Sequence, residues 1–302
     1  MDSNRFKIVG LGEILWDIYE DEKFLGGAPA NFAFHCQQLG DTGIIASRVG
    51  NDELGQELLD SLNNRELSID FIQKDFDYPT GTVKVMLDDQ SKPHFECTTN
   101  VAFDYLQMND QLRHLAKNAD AVLFGTLSQR NKVSRETIQT FLKISVHSFK
   151  IYDINLRGWD ENIEKIVLKS LVLADAIKLN DEELNILRNA WQRELEDTSF
   201  LQYLIMKYSL KFAALTLGEN GCILVGPDRV VQQKGIKIKP KDTTGCGDAF
   251  AAALIHQYLR EKPLDEIASF SNLLGAYIAL FVGATPDYTQ SDLARLKKEY
   301  LG

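Results

Sequence analysis

Asp242-Thr243-Thr244-Gly245-Cys246-Gly247-Asp248-Ala249-Phe250 sets two glycines and an acid at the point where an apolar, alanine-rich helix begins. That helix continues through Ala251-Ala252-Ala253-Leu254-Ile255 to about Leu259. A helix start carries unpaired backbone N–H groups and the positive end of the macrodipole. Glycines there let an anion approach the backbone. Asp248 stands where a carboxylate can take a proton while neighbouring amides hold negative charge. That pairing suits phosphoryl transfer to a hydroxyl. The plain alternative is a helix N-terminus with an acid in its first turn, which contributes about 0.3–1 kcal/mol.

Working outward, short apolar runs alternate with helical stretches. Phe6–Gly10 reads as a strand, followed by a helix from about Ala28 to Leu39, with Pro29 near its start and Gly40 past its end. Gly43–Val49 is a strand, then a helix from about Glu53 to Asn63. Ala121–Gly125, Lys150–Ile154, Ala176–Leu179 and Phe212–Leu217 read as further strands, with helices over Glu136–Val146 and Ile163–Leu173 between them. This alternation predicts an α/β fold: a mostly parallel central sheet with helices on both faces. Ligands bind such sheets at the carboxyl ends of the strands. Gly125, Asp153, Asn155, Asn180 and Gly218 fall at or just after those ends.

Two segments break the rhythm, at about 13–26 and 79–101. Both read as hairpin strands without helices, the second turning at Asp88-Asp89-Gln90-Ser91. They predict a small projecting β-sheet, either a lid over a site or a plain edge hairpin. No repeat or linker divides the chain, so residues 1–302 read as a single domain.

Composition narrows the classes. Of the 302 residues, 44% are hydrophobic and 25% charged, the balance of a soluble globular protein. The formal charge of -10 argues against nucleic-acid and anionic-membrane partners, and no run approaches a membrane span. It leaves room for an anionic ligand held in a local nest of amides. Met1–Arg5 leads directly into the first strand, unlike a secretory signal. Cys36, Cys97, Cys222 and Cys246 are far apart, which predicts reduced thiols in a cytoplasmic protein and no zinc or redox motif.

Other motifs are each ambiguous alone. Gly26-Gly27-Ala28-Pro29-Ala30-Asn31 is a second glycine-rich helix entry, where Asn31 can bond sugar hydroxyls, or a Gly-Gly turn before a proline-started helix. Gly10-Leu11-Gly12-Glu13-Ile14-Leu15 follows a strand, but Leu15 replaces the third glycine of a dinucleotide fingerprint. Asn180-Asp181-Glu182-Glu183 reads as a capping box, and Glu183 is also placed to order Mg²⁺-bound water. Thr216-Leu217-Gly218-Glu219-Asn220-Gly221 is a strand end with a glycine turn, either a nucleotide contact or an ordinary turn. No P-loop, H-E-x-x-H or G-x-S-x-G sequence occurs.

Together these segments resemble the ribokinase-like (PfkB) carbohydrate kinases from Gly10 to about Pro286, most closely the fructokinases. The two helix-entry motifs are the specific matches. Gly12–Asp17, Asp153–Arg157, Lys178–Glu183, Thr216–Glu219, Asn272–Ala276 and Gly283–Pro286 support them. The resemblance implies a ribokinase-like fold and ATP-dependent phosphorylation of a primary sugar hydroxyl. It makes Asp248 the catalytic base, Gly245, Cys246 and Gly247 the anion hole, and Arg157 a group facing substrate and phosphate. It places Asp17, Gly26, Gly27 and Asn31 at the sugar, and Asn180, Thr216, Gly218 and Asn272 near the nucleotide. It assigns Glu183 to Mg²⁺ through water, adds a monovalent cation such as K⁺, and implies a homodimer through the lid.

Ala28-Pro29 resembles fructokinases, whereas ribokinases and sugar-phosphate kinases more often carry Lys-Gly there. Cys246 and Ile154 depart from the family pattern. A thiol at a helix start is either activated or simply a small residue that fits, the reading favoured here. The alternatives are a kinase of 2-keto-3-deoxygluconate, ribose or a nucleoside, a nicotinamide oxidoreductase built on Gly10–Leu15, and a non-catalytic sugar-binding protein.

Overall fold

The computed structural model describes residues 5–19, 22–87 and 93–300. Among these residues the strands are β1 (Lys7–Leu11), β2 (Leu15–Ile18), β3 (Lys23–Gly26), β4 (Thr42–Gly50), β5 (Ile72–Asp75), β6 (Gly81–Leu87) and β7 (Pro93–Cys97). They continue with β8 (Ala121–Gly125), β9 (Phe149–Asp153), β10 (Ala176–Asn180), β11 (Phe212–Thr216), β12 (Gly221–Val225) and β13 (Val230–Lys234). The main sheet runs β13-β12-β11-β10-β9-β8-β1-β4-β5. Its pairings from β5 to β11 are parallel.

The two edge strands β12 and β13 pair antiparallel, an extension absent from the sequence expectation. Gly221, just after the β11 turn, adopts φ 99 and starts the hairpin. Val230–Lys234 alternates intermediate and exposed positions, the mark of an edge strand with one face toward solvent.

Helices cover both faces because the strands are apolar on both. Val9, Val122, Phe124 and Tyr152 point to one side, against Phe141, Val167, Leu187 and Phe200 of four helices. Ile8, Leu123 and Ile151 point to the other, against Phe32, Phe250, Leu254 and Leu274. This period-two division is the geometry of strands buried on both faces. Helix Lys132–Ile144 begins four residues before the expected Glu136, because Asn131 caps it by accepting from the Val133 amide at 2.9 Å. Asp160 likewise starts helix Glu161–Leu173, accepting from Ile163 at 2.7 Å.

The small sheet forms as expected, in the order β3-β2-β6-β7. Hairpins β2–β3 and β6–β7 are antiparallel, and the two join through a parallel β2–β6 pairing. The turn expected at Asp88–Ser91 lies outside the described residues. Ile14, Trp16 and Leu25 anchor the base of this sheet on Phe34, Leu58 and Leu62. Among the described residues no helix is long and apolar enough to cross a membrane.

Candidate active site

The helix Cys246–Tyr258 begins at a turn tied by Asp242. Asp242 Oδ1 accepts from the Thr244 amide (2.9 Å) and hydroxyl (2.7 Å), and Oδ2 accepts from the Gly283 amide at 2.9 Å. Burial opposes its charge, but these donors prevail and hold its carboxyl below the usual range. The turn puts Gly245 at φ 76, where a Cβ would lie 2.5 Å from that of Ala284. Only glycine fits there. Gly245 is also the N-cap and brings no side chain to the first-turn amides. The Cys246 amide leans on the Thr243 carbonyl at 3.3 Å, leaving the amides of Gly247 and Asp248 at the helix mouth.

The mouth opens on a cavity of about 610 Å³, lined also by Asp17, Gly27, Asn31 and Arg157. Asn31 Nδ2 donates to Asp248 Oδ2 at 2.8 Å, linking the two glycine-rich entries across 217 residues. The Asp248 carboxyl keeps a face toward the cavity but is otherwise enclosed. Burial pushes its pKa up to about 7; Lys178 and the Asn31 bond oppose the rise, while Asp153 and Glu13 add to it. Asp17 is pushed up to about 6, again by burial, with Arg157 opposing. A Cβ at Gly26 would lie 2.3 Å from Asp17 Oδ2, so Gly26 makes room for that carboxylate. Arg157 is exposed, donates to Asn155 Oδ1 (2.7 Å) and the Leu156 carbonyl (3.0 Å), and forms no ion pair among the described residues.

The remaining expected residues lie outside this cavity. Asn180 and Thr216 are register partners at the ends of β10 and β11. Gly218 (φ 55) faces open space in the following turn. Asn272 Nδ2 donates to the Lys234 carbonyl at 2.9 Å, which places it beside β13. A Cβ at Gly235 would strike the Glu219 carbonyl, so the β11–β12 turn and the end of β13 form one shelf. The shelf reaches the helix mouth through helix Leu264–Ile278: a Cβ at Gly275 would lie 3.3 Å from the Cys246 carbonyl.

Asn180 and Glu183 form the capping box. Asn180 Oδ1 accepts from the Glu183 amide (2.8 Å), and Glu183 accepts from the Asn180 (2.9 Å) and Leu156 (2.8 Å) amides. Both Glu183 oxygens are thus engaged by backbone. No group of three or more His, Cys, Asp or Glu suited to a metal occurs among the described residues. The Cys246 thiol is pushed up to about 12 by burial, with Asp242 and Asp248 adding to the rise. That direction disfavours an activated thiol and accords with a small residue that fits. The dinucleotide alternative also fails, because strand β2 and no helix follows Gly10–Leu15.

Lys178 and Glu13 are among the cavity residues that sequence reasoning gave no role. Lys178 is 8% exposed and pairs with Asp153 at 3.1 Å. Glu13 is 2% exposed; its amide donates to Ser128 Oγ at 2.9 Å, and that hydroxyl donates back to Oε2. A charged residue inside an otherwise apolar strand or strand end was the available signal for both.

The pfkB carbohydrate kinase family profile matches residues 12–290. The chain belongs to the pfkB family of carbohydrate kinases. An uncharacterized sugar kinase of Pyrococcus horikoshii is 33% identical over 96% of each chain. Its solved structure in complex with ATP matches with TM-score 0.82 at 31% identity, covering 95% of this chain and 97% of that one. A fructokinase of Vibrio alginolyticus is 29% identical over 89% of this chain and 90% of its own. An ATP-dependent 6-phosphofructokinase of Thermoanaerobacterium thermosaccharolyticum is 27% identical over 96% and 93%.

Proposed function

We propose that this chain is an ATP-dependent kinase that phosphorylates a primary hydroxyl of a fructose-like sugar. The observation that carries the reading is the Asp248 carboxyl, bonded by Asn31 and facing the cavity beside the uncapped amides of Gly247 and Asp248. Asp248 accepts the hydroxyl proton, and the helix mouth holds the negative charge of the transferring group. Asp17, Gly27 and Asn31 hold the sugar, with Gly26 giving Asp17 its room. Arg157 faces the substrate from the rim. The nucleotide lies along Asn180, Thr216, Gly218 and Asn272, and its phosphates reach Gly245–Asp248. The chain works as one domain, with the small sheet closing over the cavity to exclude water.

A neutral hexose suits the cavity better than a sugar phosphate. Glu13, Asp17 and Asp248 all line it. Of its cations, Arg130 is held bidentate by Asp104 (2.7 and 2.8 Å) and Lys178 by Asp153, leaving Arg157 without a carboxylate partner among the described residues. One such cation at the rim matches a single phosphoryl group in transfer and offers little to a second.

Mg²⁺ fits as a hydrated ion held mainly by the nucleotide phosphates. With both oxygens on backbone amides, Glu183 has spare lone pairs for metal-bound water rather than for the ion itself. Such an ion neutralises phosphate charge. K⁺ beside the Asp242 turn belongs to the same proposal. So does a homodimer through the lid, whose outer strands β3 and β7 each leave an edge unpaired among the described residues. A cytoplasmic setting accords with four free cysteines.

The test is ADP release with Mg-ATP across fructose, fructose 6-phosphate, ribose, 2-keto-3-deoxygluconate and a nucleoside. Fructose is expected to give the highest kcat/KM. A higher value for another sugar overturns the fructose assignment, and turnover of none overturns the kinase reading for this panel.

A further inference from the structure

Strand β10 carries one charged residue, Lys178, among Ala176, Ile177 and Leu179, which are all fully buried. Lys178 and Asp153 are register partners on adjacent parallel strands. The ammonium sits 3.1 and 3.2 Å from the two Asp153 oxygens, and Asp153 is 1% exposed. Such a buried pair adds little to stability over an apolar pair of similar volume. Its location suggests another use. A Cβ at Gly247 would lie 2.8 Å from Lys178 Nζ, so the ammonium abuts the first turn of helix Cys246–Tyr258 through the gap that glycine leaves.

We propose that Lys178, anchored by Asp153, is a positioning residue of the phosphoryl-transfer site that supports the Gly247 turn and sets a fixed positive charge beside Asp248. This rests on the kinase reading above. The groups that weigh most on Asp248 are Lys178 from β10, Asp153 from β9, Glu13 from the loop after β1, and Asn31 from helix Ala28–Gln38, with the Cys246 thiol in the same first turn of its own helix. Two are carboxylates that disfavour its ionised form. Lys178 is the principal opposing charge, and the Asn31 amide bond assists it. Burial works against the Lys178 charge too, but Asp153, Glu183 and Asp248 outweigh it and keep the ammonium protonated. Without Lys178, Asp248 loses its counter-charge and faces an unneutralised Asp153. The base then stays protonated at neutral pH.

The experiment compares wild type, Lys178→Met, Lys178→Arg and the charge-balanced Lys178→Met/Asp153→Asn pair. It reads kcat and KM from pH 5.5 to 9, and the ¹³C-carboxyl titration of Asp248 in ligand-free protein. Lys178→Met is expected to raise the Asp248 midpoint and the acid limb of kcat/KM by about one pH unit or more. It is expected to lower kcat at pH 7 at least about tenfold, with sugar KM changed less than about threefold. Lys178→Arg recovers the midpoint but not the full kcat, because a guanidinium does not fit the gap at Gly247. If Lys178→Met does not fold, the pair carries the test and is expected to show a smaller upward shift with reduced kcat. A folded variant with wild-type kcat and an unmoved Asp248 midpoint overturns the proposal. Wild type inactive on every sugar overturns the kinase reading and this role with it, whereas active wild type beside an indifferent variant overturns this role alone.

Discussion

A carboxylate taken out of bulk water favours its neutral form, and at Asp248 that penalty lifts the pKa from 3.8 to about 7. Between these values the folded protein binds more protons than the unfolded chain, so this group's contribution to stability is full below pH 4 and is lost as pH rises to 7. Asp248→Asn removes the penalty. It is expected to be more stable than wild type at pH 8 by about 1–2 kcal/mol, after discounting for solvent in the open cavity, with the difference vanishing near pH 4. Thermal unfolding at pH 4.5 and pH 8 checks this. The same variant should lose about 10²–10⁴ in kcat while still binding nucleotide. Gly245→Ala meets Ala284 at a left-handed φ, and is expected to cost about 1–3 kcal/mol by denaturant titration. At this scale the sequence singled out Asp248, Gly245 and Asn31 because two glycine-rich helix entries mark them, although each entry also had a plain capping or turn reading. It hid Lys178 and Glu13, whose importance depends on partners 25 and 115 residues away.

Among the elements, the helix Ala28–Gln38 carries Asn31 to the site and is tied to the C-terminal segment by His35. His35 Nε2 donates to the Ala284 carbonyl at 2.9 Å, and the Tyr288 hydroxyl donates to Nδ1 at 3.3 Å. Burial pushes His35 down to about 4 from 6.5, with the Ala284 bond opposing. Its contribution to stability is therefore full above pH 6.5 and is lost as pH falls through 4. His35→Gln should be less stable at pH 7 and should show a flatter stability profile between pH 6.5 and 4, measured by urea denaturation. The capping box offers a separate check. Asn180→Ala should cost about 1 kcal/mol, and a rise in the KM for ATP beyond that loss of stability would support a nucleotide contact. Apolar strands and proline-started helices were legible because local pattern determines them. The β12–β13 hairpin was not, since an alternating edge strand is short and half polar. Nor was the parallel β2–β6 joint, which brings together segments 66 residues apart at Leu15 and Gly81.

Over the whole molecule, two regions converge on the mouth of helix Cys246–Tyr258. The cavity beneath the small sheet gathers Asp17, Gly27, Asn31 and Asp248, while the shelf of Thr216, Gly218 and Asn272 lies across the sheet ends toward β13. The alternation of strands and helices made this architecture readable, and both regions border the strand carboxyl ends to which the general rule for such sheets directs attention. Their separation was not readable, because spacing along the chain does not state which strand ends share a hollow. In the proposed kinase the two regions serve one reaction. A crystal structure of the protein with fructose and a non-hydrolysable ATP analogue tests this most directly. A primary hydroxyl of the sugar is expected within about 3 Å of the Asp248 carboxyl, with the triphosphate running from the Gly218 turn to the Gly247 amide. A sugar bound with no hydroxyl near Asp248, or phosphates lying away from the Gly245–Asp248 turn, would contradict the proposal.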